Sequence, residues 1–211
     1  MSILNSGRLS VSQREHNSLI WKAIEDDEQL EVKQMIETLQ LQPHMEGGYY
    51  AETFRSPLKL NTSWSSTDAV KKSSLDLANN DSVVTNTCQR NVCTSIVYLL
   101  TKQYPICYWH KNRSDIIRYF HGGGSVKVIT IDDVGLLQTV RLGGNIEAGD
   151  RLQIVTKGGN WEALMLVDGD WALQGEAVAP GFDYLDMKLG TRELLYKFPD
   201  LTDTIELFLK E

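Results

Sequence analysis

The feature that most constrains this chain is a succession of short apolar runs between Asn91 and Val178, each bounded by a turn signal. Alternation predicts strands at Thr94–Leu100, Ile106–His110, Ile116–His121, Val126–Ile131, Leu136–Leu142, Leu152–Val155, Trp161–Val167 and Trp171–Val178. Between them stand turn signals such as Gly122-Gly-Gly, Asp132-Asp-Val-Gly, Gly143-Gly-Asn, Gly158-Gly-Asn and Asp168-Gly-Asp. These residue types accept left-handed backbone or bond their own main chain, so they reverse a chain quickly. Short strands this closely spaced read as antiparallel, and hiding their apolar faces requires a closed barrel or a sandwich.

The flanks read differently. Residues 1–17 are polar and patternless, Ser18–Ile24 fits a short helix, and Val32, Met35, Ile36 and Leu39 recur at helical spacing until Gln42-Pro43. Pro43 to Ser56 opens with a glycine pair and alternates aromatic with charged residues, as a strand with one functional face would. Residues 57–90 are rich in Ser, Thr, Asn and Lys and read as a polar loop insertion. Beyond Pro180, Leu194, Leu195 and Phe198, then Ile205, Phe208 and Leu209, mark two short helices, with Thr191 as N-cap of the first. The expected organisation is an N-terminal extension over 1–28 and a single domain over 29–211.

With 211 residues, 42% hydrophobic and 23% charged, the chain suffices for one well-buried core. A net charge of -7 argues against nucleic-acid binding, which needs clustered Lys and Arg. Lys and Arg number 4 against 7 Asp and Glu in residues 1–40, 4 against 7 in 183–211, and 8 against 9 in 91–181. The excess acid is therefore terminal and the strand-rich region nearly neutral. Cys88, Cys93 and Cys107 cannot all pair and lack zinc-finger spacing, which fits a reducing compartment. No window is long and apolar enough for a membrane span or a signal peptide, and a cytoplasmic location is expected.

Tyr108 to Gly124 gathers His110, His121, Arg113, Arg118, Tyr108, Tyr119 and Asp115 between apolar runs. Regular strand parity puts Tyr108 on the face of His110 and Trp109 on the other. Arg55 and Arg118 are candidates for gripping a carboxylate or phosphate, or for pairing with Glu52 or Asp115 for structure alone. Glu46, beside Gly47 and Gly48, is placed to reach a barrel mouth.

Three segments together, Pro43-His-Met-Glu-Gly-Gly-Tyr-Tyr-Ala-Glu-Thr-Phe-Arg-Ser56, the window around His110, and Val178-Ala-Pro-Gly-Phe-Asp-Tyr-Leu-Asp186, resemble a cupin family long catalogued as a domain of unknown function. The resemblance covers roughly residues 30–200. It implies a mainly β fold, a cupin jelly-roll barrel (double-stranded β-helix) with short flanking α-helices at the N- and C-terminal ends. It also implies a two-fold homodimer, with structural analogies to sugar-nucleotide epimerases and plant storage proteins. The broader superfamily binds metal through His-x-His, a Glu and a later His. Here His110 takes the first position, Asn112 the second, Ile116 that of the Glu, and Glu162 replaces the last His. Only His110 and Glu162 remain as weak metal candidates. No cofactor is expected, and any divalent metal is expected to bind weakly.

The combined expectation is a barrel that binds a small polar ligand, with carbohydrate- and nucleotide-like molecules as candidates. Any activity would be metal-independent proton transfer of the isomerase or epimerase type. His110, as a neutral imidazole with a pKa near ~6.5, would be the base and Tyr108 the acid. Glu46, Glu52, Arg55, Asn112, Arg118 and Glu162 would bind the ligand. The alternative is a non-catalytic binding or storage-like cupin, and a metal-dependent dioxygenase is disfavoured by the missing histidines.

Overall fold

A computed structural model describes residues 30–62 and 88–210, and the chain divides into two compact units, Met1–Gln42 and Pro43–Glu211. In the first, residues 30–38 are helical (α1), with Val32, Met35 and Ile36 less exposed than their neighbours, as the spacing predicts. The helix ends before the expected Gln42-Pro43, because Gln40 adopts φ 53 and Leu41 N returns a hydrogen bond to Ile36 O at 2.9 Å. The helix expected at Ser18–Ile24 lies outside the described residues.

The remaining chain is built of strands β1 (Gln42–Pro43), β2 (Tyr49–Arg55), β3 (Lys59–Thr62), β4 (Cys88–Asn91), β5 (Thr94–Thr101), β6 (Ile106–Asn112), β7 (Asp115–Gly123), β8 (Val126–Ile131), β9 (Leu137–Leu142), β10 (Gln153–Thr156), β11 (Trp161–Leu166), β12 (Trp171–Ala179) and β13 (Met187–Leu189). One sheet has the order β1-β2-β5-β12-β7-β10 and the other β13-β6-β11-β8-β9. Pairing is antiparallel from β2 onward. All eight strands read from the 91–178 pattern are present within a residue or two, because their turns and their alternation agree.

The 57–90 stretch is not loop throughout. Its ends pair as β3 and β4, Leu60 opposite Arg90, while 63–87 lies outside the described residues. The signal is absent from the sequence because the buried side chain of β4 is an arginine. Arg90 is hidden by bonding Asp186 through Nε at 2.5 Å and Nη2 at 3.0 Å.

Two apolar clusters hold the sheets. The inner one joins Tyr98, Leu100, Ile154 and Ala172 of the first sheet to Cys107, Val126, Val128, Leu142 and Leu164 of the second, so it lies between them. The outer cluster covers the far face of the second sheet, where Trp109, Ile129, Ile131, Trp161 and Ala163 meet Leu194, Phe198, Ile205 and Phe208. The last four come from the C-terminal segment that carries α2 (Glu193–Lys197) and α3 (Thr202–Glu206). The N-cap of α2 is Arg192 rather than the expected Thr191, whose hydroxyl, one residue earlier, accepts from Glu193 N at 3.3 Å.

The inner space has two halves. Along β11, Leu164 and Leu166 pack with the inner cluster while Glu162, two residues on, faces His110 and Thr130 across its neighbours. Along β12, Ala172 gives way to Gln174 and Glu176, both buried. The strand period thus carries an apolar layer directly into a polar one.

Trp109 has no exposed surface, and its indole N–H donates to Ile205 O at 3.0 Å. Trp109→Ala should lower unfolding stability by ~3–5 kcal/mol in a denaturant titration, since little can collapse into the space.

Candidate functional site

The site begins with a turn. Gly47 and Gly48 take φ values of 100 and 64, and a Cβ on Gly47 would strike Ile106 O. This close approach lets Tyr108 N donate to Glu46 O at 2.7 Å and Tyr98 Oη to Gly47 O at 2.6 Å, which fixes Glu46 against β6. The Glu46 side chain then lies between the sheets, where Oε1 finds no hydrogen-bond partner among the described residues.

A β-bulge sets the rest. On β11, Glu162 pairs with His110 but Leu164 pairs with Cys107, so β6 holds an extra residue there. The bulge cancels the expected parity. Cys107 and His110 both face inward, Trp109 faces the outer cluster, and Tyr108 contributes its carbonyl rather than its ring. His110 Nδ1 lies 2.9 Å from Tyr108 O and 3.7 Å from Cys107 Sγ. This corrects the placement of Tyr108 beside the imidazole. Its ring instead lines a separate pocket of about 220 Å³ with His44, Tyr49, Tyr104 and Lys210, which neither His110 nor Glu162 borders.

The other imidazole nitrogen, Nε2, is 3.0 Å from Glu162 Oε1 and 3.6 Å from Glu46 Oε2. Glu162 in turn receives a bidentate pair from Arg118, Nη1 to Oε2 at 2.8 Å and Nη2 to Oε1 at 3.1 Å. Beyond it, Arg118 Nε lies 3.3 Å from Glu176 Oε1, off the line of a hydrogen bond, and Nη2 is 3.5 Å from Glu176 Oε2. Nη1 also donates to Thr156 Oγ1 at 3.3 Å. His110, Arg118 and Glu162 are each 1% exposed, so water screens none of these charges.

Each group's protonation follows from that burial. Burial alone would lower the imidazole of His110, but Glu46, Cys107 and Glu162 outweigh it and hold its pKa well above the usual value. That direction favours the imidazolium over the neutral base expected from the sequence. Glu162 resists the upward push of burial because Arg118 and His110 stabilise its anion, and it titrates at about 2. Glu46 is lowered despite burial, by His110 and by His44, whose Nδ1 is 3.3 Å from Glu46 Oε2. Glu176 goes the other way: burial, with Glu162 and Glu46 nearby, raises it against the pull of Arg118. Burial likewise raises the Cys107 thiol. Two cations thus face two carboxylates and one carboxyl group that favours its proton.

Of the expected ligand-binding residues, Glu46, Arg118 and Glu162 join His110, and Asn112 is buried on the same strand with Oδ1 unpartnered among the described residues. Glu52 and Arg55 are exposed and bond each other, at 2.9 and 2.7 Å. Arg55 also reaches Asn91 Oδ1 at 3.0 Å and Phe182 O at 3.2 Å, so it staples three segments together. Cys107, Glu176, Gln174 and His44 lie outside the set of site residues expected from the sequence. The parity of β12 could have pointed to Gln174 and Glu176, whereas Cys107 depends on the bulge.

Glu46, Cys107 and His110 offer donor atoms within 4.8 Å of one another and could hold a metal ion. The fit is limited to those three. Glu162, the natural fourth donor, is engaged by a guanidinium, which would repel a cation placed against it.

Among proteins with similar sequences, the uncharacterized protein YML079W of Saccharomyces cerevisiae is 34% identical over 159 residues, 74% of this chain and 73% of that protein. A hypothetical protein from Leishmania major has a similar structure, with TM-score 0.70 and 24% identity over 85% of this chain and 98% of that one. Protein SO0799 from Shewanella oneidensis gives TM-score 0.66 and 26% identity over 83% and 95%. The family described as Cupin superfamily (DUF985) matches residues 33–190. The chain, with its two antiparallel sheets and its interior site, belongs to that cupin family.

Proposed function

We propose that this cupin binds a small polar ligand between its sheets, against His110, and exchanges a proton with it. The observation that carries this reading is the imidazole of His110 held between Glu46 and Glu162, together with buried polar atoms that find no partner among the described residues: Glu46 Oε1, Asn112 Oδ1 and both amide atoms of Gln174. Buried polar atoms normally find partners, and a hydroxyl- or carbonyl-bearing ligand would supply them. A carbohydrate-like molecule suits that mixture of donors and acceptors. In the isomerase or epimerase type of reaction, His110 gives its Nε2 proton to a ligand oxygen. An ionised carboxylate, Glu46 or Glu162, takes the proton removed from the neighbouring carbon.

Binding without turnover is the second reading. It is favoured by the position of Tyr108, whose phenol lines a separate pocket that His110 does not border. In either case the metal-binding triad is not needed for the proton step, and any divalent ion there is held weakly. The ligand is the expected partner, and neither nucleic acid nor membrane is one. No helix among the described residues is long and apolar enough to cross a membrane. The three free cysteines support a reducing, cytoplasmic setting. We further propose a homodimer, for which the outer strand β10, with Leu152 and Val155 exposed, offers an edge. Sedimentation at several concentrations should give twice the chain mass, and a persistent monomer would remove the proposal.

Native mass spectrometry of freshly purified protein should find a co-purifying small polar mass. His110→Gln should weaken its retention by about 10- to 100-fold, the worth of a hydrogen bond to a charged group. Turnover should vanish in that variant while the circular dichroism spectrum stays unchanged. Undiminished retention would place the ligand elsewhere, and retention lost without any turnover in the parent protein would select the second reading.

Stability should also report the imidazolium. Because the folded pKa of His110 is raised, its contribution is complete below the unfolded value of ~6.5 and is lost as pH rises through the folded value. Glu162 and Glu46, both lowered, contribute above the unfolded value of ~4.3, and this is lost as pH falls, toward about 2 for Glu162. Glu176, raised, adds to the alkaline loss above ~4.3. The melting temperature should therefore decline on both sides, and His110→Gln should flatten the alkaline limb above ~6.5. An unchanged limb in the variant would show that His110 is not the titrating cation.

A further inference from the structure

The guanidinium of Arg118 is as enclosed as the histidine. Its hydrogen-bonding groups are all directed at protein: Nη1 to Glu162 and Thr156, Nη2 to Glu162 and Glu176, and Nε toward Glu176. Of its three nitrogens Nε alone lacks a hydrogen bond among the described residues, and one N–H cannot grip an anion with a paired fork, so the expected ligand-binding role of Arg118 does not suit its geometry. Nor is it a surface ion pair that solvent could replace, because Arg118 and Glu162 are each 1% exposed and Glu176 is 8% exposed. The guanidinium stands instead where carboxylates from β11 and β12 converge. Glu162 also touches His110, which in turn faces Glu46. Two carboxyl groups on a central positive charge, with an imidazole against one of them, are donor types that a hard or borderline divalent ion such as Mn²⁺ takes.

We propose that Arg118 is a tethered counter-cation, occupying the place between Glu162 and Glu176 at which a divalent ion would otherwise bind. The chain thereby carries its central positive charge covalently, on β7, and needs no ion from solution to neutralise Glu162. An arginine is fitted for this because it cannot lose its proton and because its planar fork matches a carboxylate edge. The arrangement also restricts the ligand. A molecule entering the site meets His110 and Gln174 Nε2 as donors and Asn112 Oδ1 and Gln174 Oε1 as acceptors, not a free guanidinium fork, so neutral polyols and carbonyl compounds suit it better than phosphates.

The test is to remove the cation and offer another. In Arg118→Met the stem is kept while Glu162 loses its counter-charge and Glu176 the cation beside it. Purified wild type and variant are titrated with Mn²⁺ by calorimetry, and the free ion is followed by electron paramagnetic resonance. The variant should take one Mn²⁺ per chain, about 100-fold or more tighter than wild type, because a buried carboxylate without its cation is strongly disfavoured. Arg118→Met/Glu162→Gln, which removes a donor and the excess charge together, should fold and return to wild-type weakness. If Arg118→Met is unfolded alone, Mn²⁺ should restore its cooperative melting transition and Mg²⁺ should do so less well.

A folded variant that takes no Mn²⁺, or an unfolded one that Mn²⁺ does not rescue, would overturn the proposal. So would wild type binding one Mn²⁺ as tightly as the variant. Equal binding by the double variant would do the same by locating the ion away from Glu162, at the Glu46, Cys107 and His110 donors.

Discussion

The interior of this protein depends on one buried ion pair, Arg118 with Glu162. Two charges taken out of water at the same place are costly unless each is fully compensated, and here each partner has more than one. Glu162 faces both Arg118 and His110, while Arg118 faces both Glu162 and Glu176. The pair also bridges the two sheets, since Arg118 comes from β7 and Glu162 from β11. It thereby does electrostatically, in the polar half of the interior, what Leu100, Val128 and Leu164 do by packing in the apolar half.

From that pair the protonation of the whole site follows. With Glu162 held as an anion and Glu46 lodged nearby, the imidazole of His110 is better charged than neutral. With Glu162 and Glu46 already ionised, Glu176 is better neutral. Environments that push like groups apart in pKa are the usual means by which acid and base roles are divided in one pocket. The same compensation makes the site rigid, because moving any one group would strand another.

Position, in contrast, comes from local backbone irregularities. The glycine turn at Gly47-Gly48 brings Glu46 against β6, and the bulge opposite Ala163 turns Cys107 and His110 to one side. Neither depends on the charges. The outer cluster locks the other side of that bulge by burying Trp109 under the C-terminal helices, so the orientation of His110 is set partly by packing outside the barrel interior.

Much of the fold was legible in the sequence because alternation and turn chemistry are local. The eight strands between Thr94 and Ala179, the short C-terminal helices and the cupin family can be read there, as can His110, Glu46, Arg118 and Glu162 as inward polar residues. What the sequence does not show is which of these residues meet. The β3–β4 ribbon is hidden because Arg90 is buried through a partner, Asp186, that lies far along the chain. Tyr108 was misplaced because a single extra residue in β6 reverses strand parity without any change of composition. The charge state of His110 and the pairing of Arg118 could be decided only by tertiary structure, since both depend on carboxyl groups delivered by other strands and turns to within 3.6 Å. Periodicity determines which way a side chain faces in a regular strand, whereas the strength of an electrostatic interaction depends on distance and burial, which only the folded chain fixes.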